Sequence, residues 1–431
     1  MALSALPRLA APPRGRLVCA AQRLVPRSMA SMTWGDVPLA AADPILGLNE
    51  LFQKDTAKEK VNLTIGAYRT DEGKPWVLPS VQKAQELILK KQESGDANME
   101  YLGIAGNPAF LKESIKLAYG DHASSGHFAA MQCLSGTGAC KVAGEFIAKF
   151  QGTDKPMLVP NPTWSNHINI FEGCGFKVVK YSYWDTATNR FDLAGCLQDF
   201  LNAPDGSPVL LHGCAHNPTG TDPTKEQWKE MEAVIAKKGH LALFDVAYQG
   251  FASGDLDADA WAPRYFMEKG QKPFLCQSYA KNMGLYGQRV GCFSMSVESE
   301  KEAEACLSQL KWVARPAYSS PPRHGVEVAL EVMAQPELLN MWYDEMKVMS
   351  GRIKAMREGL EGGLAQATGK DWSHITEQIG MFAFTGLSTP QCEELINKYH
   401  IYLTKNGRIS LAGLNTKNLD YVVESISKVS K

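Results

Sequence analysis

Short apolar runs alternate along this chain with stretches in which apolar residues recur every three or four positions. The runs at 131–134, 156–160, 176–181, 208–213, 240–246, 274–278 and 291–296 are bounded by turn residues and are too short for buried helices, so they read as strands. Between them, 164–172 and 226–238 carry the helical period. Ser135-Gly136-Thr137-Gly138 turns the first strand into a helix that runs through Phe150. Strand and helix in alternation predict an α/β fold, a mostly parallel sheet wrapped by helices.

Other elements flank this core. Residues 32–44 read as an extended arm, and Asp43-Pro44 opens a helix whose apolar face holds Leu48, Leu51 and Phe52. Val61–Ile65 alternates like a strand and ends at Gly66, and Arg69–Pro75 is turn chemistry. Helices are expected near 80–95, 108–119 and 298–312. A long periodic stretch over 337–366 is placed to carry the chain between domains. The tail alternates a strand at 381–387, a helix at 390–399, a strand at 407–411 and a helix at 416–429.

Composition narrows the class. The chain has 431 residues, room for two or more domains. A net charge of −1 lacks the basic footprint of a nucleic-acid binder. No apolar run reaches the ~18 residues of a membrane helix. Ten cysteines without a C-x-x-C pair suggest reduced thiols rather than disulfides or zinc. The leader differs: Arg8, Arg14, Arg16, Arg23 and Arg27 precede the first acid, Asp36. Arg-rich and acid-poor is the composition of an organelle transit peptide, and sparse serine favours the mitochondrion over the plastid. A disordered basic tail is the plainer alternative. Without those five arginines 40 Lys and Arg face 46 Asp and Glu, a balance of −6.

Candidate chemistry sits where apolar runs end. After Phe274-Leu-Cys276 come Ser278, Lys281 and Arg289 on a glycine-rich loop. An amine, a hydroxyl and a fixed cation at the rim of a sheet suit an anionic carbonyl compound. The lysine would form an imine, and the hydroxyl and arginine would hold a phosphate. A surface lysine is the plain alternative. Asp245 ends Leu241-Ala-Leu-Phe244, where an unpaired carboxylate is costly. It would pair with a protonated pyridine nitrogen or cap the next turn, and Tyr248 follows within reach of the same ligand. Leu211 leads to His212, His216 and Asn217-Pro218. These histidines lie on no convincing helix, so buried hydrogen-bonded rings are the better reading than a metal pair. The turn Ser135–Gly138 exposes backbone N–H groups to an anion or is merely structural. The chain has no G-K-[ST] ending and no G-x-G-x-x-G, so a nucleotide is unsupported.

Asn217, Asp245 and Lys281 at successive strand ends resemble the class I pyridoxal-phosphate-dependent aminotransferases of fold type I. The S-Y-A-K-N…G-L-Y-G segment resembles their aspartate branch, and the likeness runs from about Asp43 to the C-terminus. It implies a large domain, 76–345, with a seven-stranded sheet, and a smaller α/β domain from both chain ends, 45–75 and 346–431, after a transit peptide at 1–31. It implies a Schiff base between Lys281 and pyridoxal 5'-phosphate, with Lys281 later moving the proton. Asp245 would hold the pyridinium, supported from behind by His167. Tyr248 and Asn217 would hold the phenolic oxygen, and Trp164 would stack on the ring. Ser135, Gly136, Thr137, Ser278 and Arg289 would hold the phosphate, with Tyr101 reaching it from a neighbouring subunit. Arg408 would bind the substrate's α-carboxylate, and Arg315 the distal one across a homodimer interface. Gly66 and Phe382 would line the site. Trp164 and Asn217 would also meet the substrate.

The implied reaction moves the amino group of L-aspartate to 2-oxoglutarate in the mitochondrial matrix, with no metal, nucleic-acid or membrane partner. A relative acting on aromatic amino acids or kynurenine is the nearest rival. A Ser278-x-x-Lys281 acyl-enzyme hydrolase is a further one, but the S-D-N and K-T-G elements that would complete it are missing. Thr64, Ser320 and Cys140-Lys141 depart from the family's usual residues and read as tuning.

Overall fold

The computed structural model describes Trp34, residues 37–40 and residues 46–430. The leader, most of the arm and the helix start at Asp43-Pro44 lie outside them. Within residues 1–42, Val37 N–H donates to the Trp34 carbonyl at 3.1 Å. Residues 43–431 form one compact unit.

Seven strands build one sheet in that unit: β1 (His127–Leu134), β2 (Met157–Asn161), β3 (Val178–Ser182), β4 (Pro208–His212), β5 (Leu241–Val246), β6 (Phe274–Ser278) and β7 (Val290–Val297). Their spatial order is β1-β7-β6-β5-β4-β2-β3. The row from β6 to β3 is parallel, whereas β7 runs antiparallel to both its neighbours. The reversal follows from connection length. A parallel return needs a crossover of about a dozen residues or more, usually a helix. Only residues 279–289 join β6 to β7, and they hold no α-helix.

Strand parity assigns side chains to the two faces. On β5, Leu241 and Leu243 join the core beneath the helix Ser135–Gln151, while Ala242, Phe244 and Val246 join the opposite core with Trp228 and Phe266. Asp245 shares the parity of Leu241 and Leu243. On β6, Ser278 likewise shares the parity of Phe274 and Cys276, which belong to the first core. The sheet therefore delivers both polar side chains toward the same helix N-terminus.

Strand order reverses between β2 and β4: from β2 the chain steps outward to β3, then returns to β4 on the other side. Open α/β sheets bind ligands outside the carboxyl ends of the strands at such a switch point. The loops after β2 and β4 begin there, and those after β1, β5 and β6 end on the same rim.

Several helices add to those expected from the sequence. His324–Ala334 buries Gly325, Val326, Val328, Ala329, Glu331, Val332 and Met333, so it is enclosed nearly all round. Leu193–Asn202 and Trp261–Glu268 are short and also went unpredicted. Leu51, expected on a buried face, is 53% exposed. The long stretch is a helix, Pro336–Thr368, 33 residues and thus about 50 Å long. Among the described residues nine cysteines are free, and no helix is long and apolar enough to cross a membrane.

Candidate active site

The strand ends enclose a cleft of about 220 Å³. Asp245 forms its floor. Its Oδ2 accepts from His167 Nε2 at 2.9 Å, and its Oδ1 is buried with no partner. His167 is wholly buried on the helix Ser165–Glu172, which follows β2. Its Nδ1 meets Thr163 Oγ1 at 2.9 Å, and that hydroxyl meets His212 Nε2 at 3.2 Å. His212 Nδ1 then accepts from Asn217 N–H at 3.2 Å. Three strand ends are thus joined by one buried polar chain.

Burial opposes charge on His167, but Asp245 and Cys140 together outweigh it and lift the pKa to about 9. Burial raises the Asp245 pKa, yet His167 holds it below the ordinary carboxylate value. His212 is driven down to about 3 by burial and by the neighbouring His167. Asp245 therefore stays ionised, with one oxygen left for a cationic donor entering the cleft. Cys140, His167 and Asp245 place ligand-type atoms within 4.8 Å of one another. The 2.9 Å contact between His167 and Asp245 is a hydrogen-bond distance. Two tetrahedral zinc ligands at ~2.0–2.1 Å would stand roughly 3.3 Å apart, so the pair reads as an ion pair rather than a metal seat.

Lys281 lines the cleft beside Asp245. Its Nζ lies 5.5 Å from the centre of the Tyr248 ring. Burial pushes its pKa down; Asp245 opposes this and Arg289 adds to it. A depressed amine is the free base that attacks a carbonyl. Tyr248 is buried, and its hydroxyl pKa is raised for that reason.

An anion seat closes one end. Ser135 adopts φ +61°, rare for a residue with a side chain, and starts the helix Ser135–Gln151. Its N–H donates to Arg289 C=O at 3.1 Å, and its Oγ lies 2.9 Å from Ser278 Oγ. Gly136 and Thr137 follow in the first turn, whose N–H groups lack intrahelical acceptors. A Cβ on Gly291 would lie 2.5 Å from the Ser135 carbonyl carbon, so the cradle closes only over a glycine. Arg289 supplies a cation at the mouth. Two hydroxyls, a helix N-terminus and a guanidinium suit a phosphate.

Arg408 closes the other end from the strand Arg408–Ser410. It is buried, donates from Nη2 to Thr64 C=O at 2.6 Å and lies 4.4 Å from the centre of the Phe382 ring. Its Nη1 lies 3.5 Å from Asn217 Oδ1. Phe382 comes so close that a Cβ on Gly66 would sit 2.6 Å from its ring. Trp164 completes the wall, its ring edge-on to His167 at 5.1 Å.

Thirteen of the sixteen site residues expected from sequence line this cleft, and His167 stands behind it on Asp245. Tyr101 and Arg315 do not line it. Tyr101 is 85% exposed, and Arg315, in the last turn of Glu300–Tyr318, donates to Ser319 Oγ on the surface. Sequence reasoning missed Thr163, the joint between two histidines, and the Thr64 carbonyl that grips Arg408. A lone threonine gives no pattern to find.

The buried orphan oxygen of Asp245, the depressed amine and the phosphate-sized seat fit a phosphorylated pyridine aldehyde. The family model for aminotransferases of class I and II matches residues 58–426. A mitochondrial aspartate aminotransferase of Schizosaccharomyces pombe is 47% identical over 92% of this chain and 91% of its own length. One from Gallus gallus is 44% identical over 96% and 98%. The solved aromatic-amino-acid aminotransferase of Burkholderia pseudomallei, covalently bound to pyridoxal phosphate, superposes with a TM-score of 0.89. It is 39% identical, and the match covers 93% of this chain and 100% of that one.

Proposed function

The chain belongs to the class I and II aminotransferases, and from that premise we propose that it moves the amino group of L-aspartate to 2-oxoglutarate, giving oxaloacetate and L-glutamate. The two half-reactions share one site. The observation that carries the reading is the meeting of Asp245 Oδ1, buried without a partner, with the depressed amine of Lys281 and the buried fork of Arg408.

The cofactor is pyridoxal phosphate. When bound, it supplies a reactive carbonyl and a conjugated ring that accepts the electron pair left at the amino acid's Cα. Asp245 Oδ1 would take its ring N–H, with His167 holding Asp245 ionised. Asn217 and Tyr248 would meet its phenolic oxygen, and Trp164 its face. Ser135, Gly136, Thr137, Ser278 and Arg289 would hold its phosphate. Lys281 Nζ, whose charge burial disfavours, would take the proton from Cα and return it to the carbon on the far side of the amino nitrogen, two bonds away. Arg408 binds the α-carboxylate as a two-pronged donor, which fixes Cα over the amine.

A dicarboxylate needs a second cation. Arg315 supplies it from a second copy of the chain, and Tyr101 reaches the phosphate seat from the same direction. Their absence from the cleft of their own chain supports a homodimer with shared sites. Segments 45–75 and 346–431 act as the smaller domain against 76–345. Parallel pairing of Val61 with Ile401 and Asn62 with Tyr402, and Ser410 N–H to Leu63 C=O at 2.8 Å, tie the two ends together. The enzyme is mitochondrial, like the relatives named so, and its Arg-rich, acid-free leader supports a place in the matrix.

Two rivals are disfavoured. The aromatic relative is less similar than the aspartate ones. For a hydrolase, Ser278 would have to meet Lys281, but its Oγ is engaged with Ser135 Oγ. The test is an absorbance spectrum of the purified protein. L-aspartate should bleach the near-visible band, and 2-oxoglutarate should restore it. A band moved by phenylalanine or kynurenine but not by aspartate would transfer the assignment to the aromatic branch. No band after incubation with pyridoxal phosphate would remove Lys281 from its role, as would normal turnover in a folded Lys281→Ala variant.

A further inference from the structure

The loop from His212 to Asp222 leaves β4 and carries Asn217 into the cleft. Its backbone is bent at Ala215, φ +49°, a left-handed conformation that residues with a side chain rarely adopt, and again at Gly220, φ +68°. Asp222 ties the first bend down. Its Oδ2 accepts from Ala215 N–H at 2.6 Å and its Oδ1 from His216 N–H at 2.8 Å. Each carboxylate oxygen thus takes one of two successive backbone donors, directly before Asn217.

The same loop is the seat for the opposite wall. Ile379 N–H donates to Gly220 C=O at 2.6 Å. A Cβ on Gly220 would stand 2.6 Å from Phe382 C=O, and one on Gly380 would stand 2.4 Å from Ala215 Cβ. Nothing bulkier than glycine fits on either side of that contact. The stretch it seats ends in Phe382, whose ring lies 4.4 Å from the Arg408 guanidinium carbon. Two routes therefore lead from one carboxylate to Arg408: through Asn217, whose Oδ1 lies 3.5 Å from Nη1, and through Gly380 to Phe382. Asp222 itself does not line the cleft.

We propose that Asp222 is a positioning residue for Arg408: it clamps the Ala215–His216 bend that seats both Asn217 and the Gly380–Phe382 wall, and so sets affinity for the substrate's α-carboxylate. The inference rests on the reading of Arg408 given above. Lys281 and Asp245 stand at the ends of other strands, so binding changes more than the chemical step.

The test uses the cofactor-loaded enzyme and Asp222→Asn, at a pH above the value of about 7 to which burial raises the Asp222 carboxyl, so that the clamp is ionised. The amide keeps one acceptor but sets an N–H against a backbone N–H. KM for both aspartate and 2-oxoglutarate should rise about tenfold, the loss of roughly one charge-assisted hydrogen bond, with kcat within about threefold. Residues acting through one another are non-additive. In an Arg408→Lys background, Asp222→Asn should therefore change KM less than about twofold. An unchanged KM in the single variant, or the same tenfold rise in both backgrounds, overturns the proposal. If Asp222→Asn does not fold, Gly380→Ala loads the same contact from the other side and is held to the same two results. Arg408→Lys alone separates the premises: a KM unmoved by it removes the reading of Arg408, whereas a raised KM with an inert Asp222→Asn removes only the clamp.

Discussion

Replacing Asp245 by Asn should lower the pKa of His167. In the wild type, burial works against the imidazolium, but the carboxylate at 2.9 Å, helped by the Cys140 sulfur, outweighs it and the pKa rises from 6.5 to about 9. That is ~2.5 units, or on the order of 3 kcal/mol at 1.36 kcal/mol per unit. In Asp245→Asn the carboxylate is gone while burial, the largest opposing cause, remains, so His167 should titrate well below 9 even with Cys140 beside it. A histidine whose folded pKa is raised contributes stability fully below its unfolded value, and loses it as pH rises through the folded one. Wild-type apoprotein should therefore exceed the variant by about 3 kcal/mol near pH 6, with the gap closing as pH passes about 9. The direct assay is an NMR titration of ring ¹⁵N in the apoprotein. With nine histidines in the chain the spectrum is tractable, and His167→Gln assigns the signal. A His167 already neutral at pH 7 in the wild type, or still titrating near 9 in Asp245→Asn, would refute the ion-pair account of Asp245.

Arg408→Lys should lower kcat/KM by about 100- to 1,000-fold, because a lysine cannot hold Thr64 C=O, stack on Phe382 and present two parallel donors at once; steady-state rates within fivefold of wild type would exclude Arg408 from carboxylate binding. Gly291→Ala should lower the melting temperature and slow uptake of pyridoxal phosphate, since its Cβ would press on the backbone of Ser135 and Gln277, a clash costing about 1–3 kcal/mol; unchanged melting and loading would show that the cradle does not need a glycine there. If sites are shared across a dimer as proposed, mixing the inactive Lys281→Ala protein with Arg315→Ala should restore activity, because the hybrid would hold one site with both residues intact; a mixture no more active than its parts would place Arg315 outside the site of its neighbour.

The sequence made the strand ends readable because a polar residue closing an apolar run is expensive unless something waits for it. Asp245 announced itself this way, and so did Ser278 and Asn217. The direction of β7 was not readable, since alternation looks the same in parallel and antiparallel strands; only the short link from Ser278 to Val290 decides it. The helix His324–Ala334 was hidden because it is buried nearly all round and shows no polar face. Thr163 was hidden for another reason: its work is to join His167 to His212, two residues brought together only when β2 and β4 lie side by side. Tyr101 and Arg315 were assigned by resemblance alone, and the cleft of their own chain does not include them.

Parity explains why the legible residues converge. Asp245 and Ser278 follow Leu243 and Cys276 by two positions, and both preceding residues pack under the helix that begins at Ser135. His212 follows Leu210 by two on the same face and so meets the chain from Asp245 to Asn217. A one-residue slip in any of these strands would turn its polar end to the opposite core, against Trp228 and Phe266. There an ionised Asp245 would have no His167, and its charge would cost several kcal/mol. The hydrophobic pattern that fixes the register is therefore also what aims the chemistry. Arg408 escapes this rule because it reaches the cleft from outside the sheet, gripped by Thr64 C=O and propped by Phe382. That end of the cleft is set by a separate two-stranded pairing, with Phe384 opposite Arg408, and by its contact with the Gly220 loop, which is why a carboxylate such as Asp222, out of reach of the substrate, can tune it.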